Sequence, residues 1–375
     1  MSSLSLLTID LNALVDNWKL LQQKVAPSTR CAAVVKANAY GLGIAPVAKV
    51  LFANGCRVFF VATLEEGIEL RTLLAKSDCE IIVFGGLFYD TEESLCSAAW
   101  LRYSLIPVLY SVEHISRWVL LSSRVQKILP SVVKVDTGMH RMGLSVDEFN
   151  EQLLSDVMDR LQPSYIMSHF ACSDKSEHSL NSNQIMAFDD CLIKIKSRLP
   201  DIQVSMCNSA GIFLDAEVFY DLVRPGIALY GGNPSPSKPN PMKPVVKLTL
   251  GVMQLKVVAS GDSIGYGASY IAQKETRLAI VSGGYADGLH RALSNTGFAY
   301  CKGQRVPIVG RVSMDTMIFD VTNVLGKDPT MIEILGECQT VDDLAQAAGT
   351  IGYEILTSLG SRFQRNYLYP SGSNE

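Results

Sequence analysis

No stretch of this chain is apolar for long enough to cross a bilayer, since a helical span needs about 20 such residues. Segments such as Trp118-Val119-Leu120-Leu121 are short and lie between Arg117 and Arg124. An excess of positive charge is also missing: 33 Lys and Arg face 37 Asp and Glu, a formal charge of −4. That balance argues against a nucleic-acid partner, which calls for a basic face. No two cysteines form a C-x-x-C pair, so neither a zinc site nor a dithiol redox motif is expected. The 9 cysteines are odd in number and scattered, and most of them read as small buried hydrophobes in a reducing cytoplasm. Met1 to Asp10 carry no basic segment, and Asp10 interrupts their apolar run, so they do not read as a secretion signal. The expected setting is the cytoplasm, with no membrane partner.

What the chain does have is alternation. From Leu11 to about Gly232, short apolar runs alternate with longer amphipathic ones. Strands are expected at Cys31 to Val35, Arg57 to Ala62, Ile81 to Phe84, Leu105 to Leu109, Ser131 to Val135, Tyr165 to His169, Ile202 to Cys207 and Arg224 to Tyr230. Leu11 to Leu21 has helical spacing with Asp10 as N-cap, and Thr63-Leu64-Glu65-Glu66 resembles a capping box opening a helix over Gly67 to Ala75. Such alternation predicts a parallel sheet, and eight units in roughly 220 residues fit a (β/α)8 barrel. Spacing alone leaves a doubly wound sheet open. The stretch Gly231 to Pro241 holds four prolines among glycine and serine and marks a boundary. Beyond it, Val246 to Val258, Leu278 to Ser282, Ala299 to Val309 and Met317 to Val321 read as strands, and Val341 to Gly349 as one helix closed by Gly349. The expected plan is a barrel over residues 1–238 and a mostly β domain over 239–375.

The most informative segment is Ala32 to Gly43. Lys36 closes a β-rich apolar run and is followed by small residues, an aromatic and two glycines. A strongly hydrated lysine at a buried strand end suits an amine presented to a carbonyl as a Schiff base. In a (β/α)8 barrel, active groups collect at the C-terminal ends of strands. Lys134 and Asp136, then Arg141, follow the fifth strand; His169 ends the sixth; Asn208 and Ser209 follow the seventh; Arg224 opens the eighth ahead of Pro225-Gly226-Ile227. The expected mouth holds one nucleophilic amine, several cations, and backbone amides at Ser209, Gly226 and Ile227 for an anion. A reactive lysine beside a phosphate seat suggests pyridoxal phosphate.

Val34-Val35-Lys36-Ala37-Asn38-Ala39-Tyr40-Gly41-Leu42-Gly43 resembles the cofactor-attachment signature of alanine racemases. Further segments match that family in order: Lys134 to Gly143, Ser168 to Ala171, Asn208-Ser209-Ala210, Arg224 to Gly231, Gly265-Tyr266-Gly267, Gly284 to Gly288, Arg311 to Asp315, and Gly352-Tyr353-Glu354. His140 and Ser313 depart mildly from the pattern.

The resemblance implies a (β/α)8 barrel, a β-domain that also takes up a first strand at about residues 4–10, and a head-to-tail homodimer with shared active sites. It implies racemisation of L- and D-alanine with pyridoxal 5′-phosphate on Lys36, supplying D-alanine for peptidoglycan. Lys36 and Tyr266 are then bases on opposite faces, which removal and return of one α-proton requires. Arg224 faces the pyridine nitrogen and His169 links it to Tyr266. Tyr40, Ser209, Gly226, Ile227 and Tyr353 match phosphate ligands. Arg141 matches the residue on the substrate carboxylate, Lys134 a lysine that carries a carbamate in relatives, and Tyr285 and Met314 the substrate-pocket walls. A decarboxylase on a similar plan would need a carboxylate at the position of Arg224, and a cofactor-carrier protein would lack the β-domain.

Overall fold

The computed structural model describes residues 5–75, 78–87, 93–214 and 218–370. Leu4 and the side chain of Cys96 lie outside the described residues. Seven parallel strands follow one another in chain order: Ala33–Val34, Val58–Val61, Glu80–Val83, Ile106–Leu109, Val132–Lys134, Tyr165–Met167 and Gln203–Ser205. Their near-continuous apolar sequences (VFFV, IPVL) suit strands covered on both faces. An eighth, Leu222–Val223, pairs in parallel with Arg30–Cys31, just ahead of the first. On its other side Asp221 N donates to Val204 O at 3.0 Å and Arg224 N to Cys207 O at 2.9 Å. The sheet thereby closes on itself as a barrel.

Asp10 starts the first helix, Leu11–Lys24, as its spacing predicts: Oδ1 accepts from Asn12 N at 2.8 Å and Ala13 N at 3.0 Å. Three expectations need correction. Arg224 to Tyr230 is not a strand. Arg224 follows the eighth strand, Pro225 has no N–H for a ladder, and Ile227–Tyr230 winds into a 3-10 turn. Ala299 to Val309 is a hairpin, Phe298–Cys301 against Gln304–Pro307, because Lys302 and Gly303 both take positive φ (52° and 76°) and reverse the chain. Thr63 caps the helix Leu64–Leu73, but Glu66 does not complete the box: its carboxylate accepts from Ala62 N and Ala37 N instead.

The β-rich half is organised by the 13-residue strand Val246–Val258. It pairs antiparallel with Leu6–Asp10, Thr276–Ser282 and Met331–Leu335. Leu6–Asp10 pairs on its other edge with Gln364–Leu368, in parallel. That last strand (QRNYL) is too polar to have stood out as a strand. Helix Val341–Ala348 carries a full Thr340/Asp343 capping box and ends at left-handed Gly349. Helix Gly352–Ser358 then brings Tyr353 to the barrel mouth.

Asp10 satisfies two orphan amides at the point where the β-domain strand becomes a barrel helix. Asp10→Ala is expected to lower unfolding stability by about 1 kcal/mol. Urea denaturation followed by circular dichroism would read it, and an unchanged midpoint at equal slope would show the cap to be idle.

Candidate active site

The C-terminal ends of the barrel strands open into one cavity of about 470 Å³. Ten of the residues singled out from sequence line it: Lys36, Tyr40, Lys134, Arg141, His169, Asn208, Ser209, Arg224, Gly226 and Tyr353. Four are cationic, and no carboxylate is among the described residues of its wall. Ile227 lines the adjoining recess, which shares Asn208 and Tyr353 with the cavity.

Arg224 is the floor. Its guanidinium is buried; Nη1 donates to Ser205 Oγ, and Nη2 to Ser168 O at 2.8 Å, Met206 O at 3.2 Å and His169 Nδ1 at 3.2 Å. Its Nε is buried with no partner among the described residues. A lone buried donor invites an acceptor that the protein itself does not supply. Because guanidinium has no acceptor, His169 Nδ1 must accept, which leaves Nε2 carrying the proton. Burial, then Arg224 and Lys134, keep the imidazole neutral by lowering its pKa well below the usual range.

At the other end Ser209 Oγ accepts from Gly226 N at 2.9 Å and Ala228 N at 3.3 Å. The Gly226 amide is therefore engaged within the protein, not free for an anion as the sequence suggested, while the Ser209 hydroxyl proton remains to donate. A Cβ on Gly226 would meet the Tyr40 hydroxyl at 2.2 Å, so only glycine lets that hydroxyl close on the loop. Burial raises the Tyr40 phenol, and raises Tyr353 to about 12, so both are hydrogen-bond donors rather than bases.

Lys36 follows the strand Ala33–Val34 and opens a feature that residue types alone did not announce. Ala37, Asn38, Ala39 and Tyr40 have φ of 53° to 56°, and Gly41 has 81°: a left-handed helical turn. Non-glycine residues there cost about 1–2 kcal/mol each, and such strain persists at functional sites when the surroundings impose it. The Lys36 ammonium lies 5.8 Å from the centre of the Phe84 ring. Burial lowers its pKa, Arg141 adds to this, and Glu66 partly opposes it.

Against this geometry, the chain matches the family models described as alanine racemase N-terminal domain, over residues 9–234, and alanine racemase C-terminal domain, over residues 245–367. The chain belongs to the alanine racemase family. It is 44% identical over 373 residues to the catabolic alanine racemase of Agrobacterium fabrum, covering 98% of this chain and 93% of the relative. Identity to the alanine racemase of Rhodospirillum rubrum is 42%, covering 97% and 96%. The crystal structure of the Bartonella henselae alanine racemase with covalently bound pyridoxal phosphate superposes with a TM-score of 0.90 at 40% identity, covering 97% of this chain and 99% of that one. The Bacillus anthracis alanine racemase with bound L-Ala-P superposes at 0.85 and 27% identity, covering 100% and 97%.

Seen as a racemase-family chain, the remaining candidates stand apart from the cavity. Tyr266 and Met314 line a separate recess of the β-domain, and Tyr285 N donates to Ser313 O beside it at 3.0 Å. Tyr266, Tyr285 and Met314 are 72%, 44% and 52% exposed. Sequence reasoning missed what supports both sets. Arg362 binds Asp287 through Nε at 2.6 Å and Nη2 at 2.7 Å, and Asp315 through Nη1 at 2.7 Å, tying the Tyr285 loop to the Met314 loop. Gln184 holds the His169 carbonyl at 2.9 Å. Asp136 was seen, but not its task of accepting the amides of Gly138, Met139 and His140 to shape the loop to Arg141.

Lys134 is buried, and desolvation, then Arg141 and Arg224, lower its pKa to about 8. The unfolded chain therefore binds more protons between about pH 8 and the ordinary lysine range, and stability contributed by this group rises with pH there. In carbon-dioxide-free buffer, Lys134→Met apoprotein is expected to be more stable than wild type at pH 7, with the gap closing as pH rises through 8 to 10. Thermal melts across that range would expose a gap that stays constant, which would rule this out.

Proposed function

We propose that this chain interconverts L-alanine and D-alanine, with pyridoxal 5′-phosphate carried on Lys36 and with Lys36 and Tyr266 moving protons on opposite faces. One observation carries the reading. The candidate residues fall into two sets that a single chain keeps apart: a cationic cavity with the amine, and an exposed recess with Tyr266. Two copies placed head to tail would set each recess over the other's cavity. The division between the units is placed at the proline-rich stretch, as 1–238 and 239–375, and the physiological output is D-alanine for peptidoglycan.

The cavity fits the cofactor. Its positive lining suits a phosphate dianion, the unpartnered Arg224 Nε suits a ring nitrogen, and Gly226 leaves room for close approach. When bound, the cofactor supplies electron withdrawal that acidifies the substrate α-proton. Tyr40, Ser209, Ile227 and Tyr353 hold the phosphate, with Gly226 shaping the cradle. Burial brings Arg224 to about 10, so it stays protonated at neutral pH and donates without giving up its proton. It therefore draws less charge into the ring than a carboxylate partner would, which keeps the reaction at Cα.

A phenol with an ordinary pKa of about 10 is a weak base at neutral pH. The protonated Nε2 of neutral His169, fixed in that tautomer by Arg224, is a donor for the phenolic oxygen of a second copy's Tyr266. Arg141 takes the substrate carboxylate. Lys134 yields its proton readily enough for its neutral amine to add carbon dioxide and release a further proton, and the resulting carbamate anion would turn repulsion of Arg141 into attraction. Tyr285 and Met314 wall a pocket sized for a methyl group. An added methylene changes selectivity by only about 1–3 kcal/mol, so such a pocket disfavours 2-aminobutyrate without excluding it.

Two measurements test this. Lys36→Ala and Tyr266→Phe, each inactive alone, should recover activity on mixing under subunit exchange, because one intact site forms per heterodimer. Recovery that fails despite mixed species in native mass spectra rules out a shared site.

In Tyr266→Ala, α-deuterium exchange in L-alanine should fall by about 10²–10⁴-fold, while exchange in D-alanine, served by Lys36, persists. Proton NMR in deuterated water follows both. Equal slowing of the two enantiomers would replace the two-base reading by a single mobile base.

A further inference from the structure

We propose that Glu66, Arg365 and Tyr367 are positioning residues for Lys36: they hold, from two sides, the left-handed turn that directs its amine to the cavity. The internal bonds of that turn, Ala39 N to Val35 O at 2.9 Å, Gly41 N to Ala37 O at 2.8 Å and Gly43 N to Asn38 O at 2.9 Å, satisfy its backbone. They do not offset the steric preference of L-residues for the opposite hand. Something outside the turn must impose it.

On the barrel side Glu66 does so. Its Oε1 accepts from Ala37 N at 2.7 Å, and its Oε2 from Ala62 N at 2.6 Å. One carboxylate thus ties the first peptide after Lys36 to the end of the neighbouring strand Val58–Val61. The third residue of a helix would ordinarily bond back to its own N-cap, so Glu66 is diverted from its helix to the lysine turn. On the other side stand Arg365 and Tyr367, alternate residues of the strand Gln364–Leu368 and so on one face of it. Arg365 Nη2 donates to Gly41 O at 3.1 Å, and Nη1 of the same guanidinium to Gly360 O at 3.1 Å. Tyr367 Oη donates to Leu42 O at 2.9 Å. The fit has no slack: a Cβ on Gly41 would meet Leu356 O at 2.6 Å, and one on Gly43 would meet Tyr367 Oη at 2.3 Å. The β-domain therefore acts on the lysine of its own chain, separately from what it lends to a second copy.

The inference rests on Lys36 as the cofactor lysine, so the test separates the two. Hydrogen exchange in the apoprotein, read by mass spectrometry over residues 36–43, judges the clamp without any cofactor. Glu66→Gln, which offers one acceptor where two amides point, and Tyr367→Phe, which removes one hydroxyl, should each speed exchange there by about tenfold or more, with residues 132–134 unchanged. In the loaded enzyme, Glu66→Gln should lower kcat by about 10–100-fold with the KM for alanine unmoved, and slow borohydride trapping at Lys36. Glycine adopts positive φ without penalty, so adding Ala37→Gly to Glu66→Gln should restore most of the trapping rate, which a merely structural defect would not allow. Wild-type exchange in both single variants, or a trapping defect untouched by Ala37→Gly, overturns the proposal. Trapping of the wild-type protein at a different lysine would instead overturn the role of Lys36. Should Glu66→Gln fail to fold, exchange in Tyr367→Phe decides alone, and a wild-type rate there overturns the clamp.

Discussion

Lys36, Lys134, Arg141 and Arg224 share one cavity with no carboxylate among the described residues of its wall. Desolvated like charges repel, and a protein interior ordinarily pairs them. Each notable property of the site answers that imbalance. Lys134 and Lys36 hold their protons less tightly, His169 stays neutral, and Arg224 spreads its charge over two carbonyls, a hydroxyl and an imidazole. What remains is a seat shaped and charged for a polyanion with one acceptor nitrogen, and this links the electrostatics to the family to which the chain belongs.

The barrel's closure is what makes that concentration of charge possible. Arg224 reaches the mouth because the eighth strand ends at Val223 and its own amide completes the ring on Cys207. Pro225 O still accepts from Val34 N at 3.0 Å, and beyond it the turn Ile227–Tyr230 begins, with the Gly226 and Ala228 amides held by Ser209 Oγ. Ring closure, cation placement and the anion cradle are one local event spread over a few residues.

How much of this was legible in sequence depended on whether a residue's role is carried by its own type. Buried parallel strands announce themselves as apolar runs, and the strand Val246–Val258 runs over the residues its pattern indicates. Lys36, Arg224 and His169 were legible because an ionisable side chain at a strand end is conspicuous. The left-handed turn was not, because Ala37, Asn38 and Ala39 are ordinary residues forced into it by Glu66 and by a strand over three hundred positions away. Gln364–Leu368 and the Arg362 bridge were illegible for a related reason. Their polar side chains read as surface until the fold brings Gly41, Asp287 and Asp315 to them. Gly226 shows a third case, in which residue type pointed to the right loop but not to the amide already taken by Ser209.

The pairing of Leu6–Asp10 bears on how the molecule is made. Its partners are Val246–Thr249 and the strand Gln364–Leu368, so a strand that precedes the barrel in sequence finds its neighbours only beyond the barrel. The barrel is in effect spliced into an interrupted sheet. Its strands can pair in order as they emerge, each beside the one before, which keeps loop closure inexpensive. The β-sheet must instead wait, leaving an apolar strand without its ladder through most of synthesis, the kind of exposed edge that invites association with other chains. Because the last strand also grips the lysine turn, the slowest part of the molecule to assemble is the part that finishes its reactive centre.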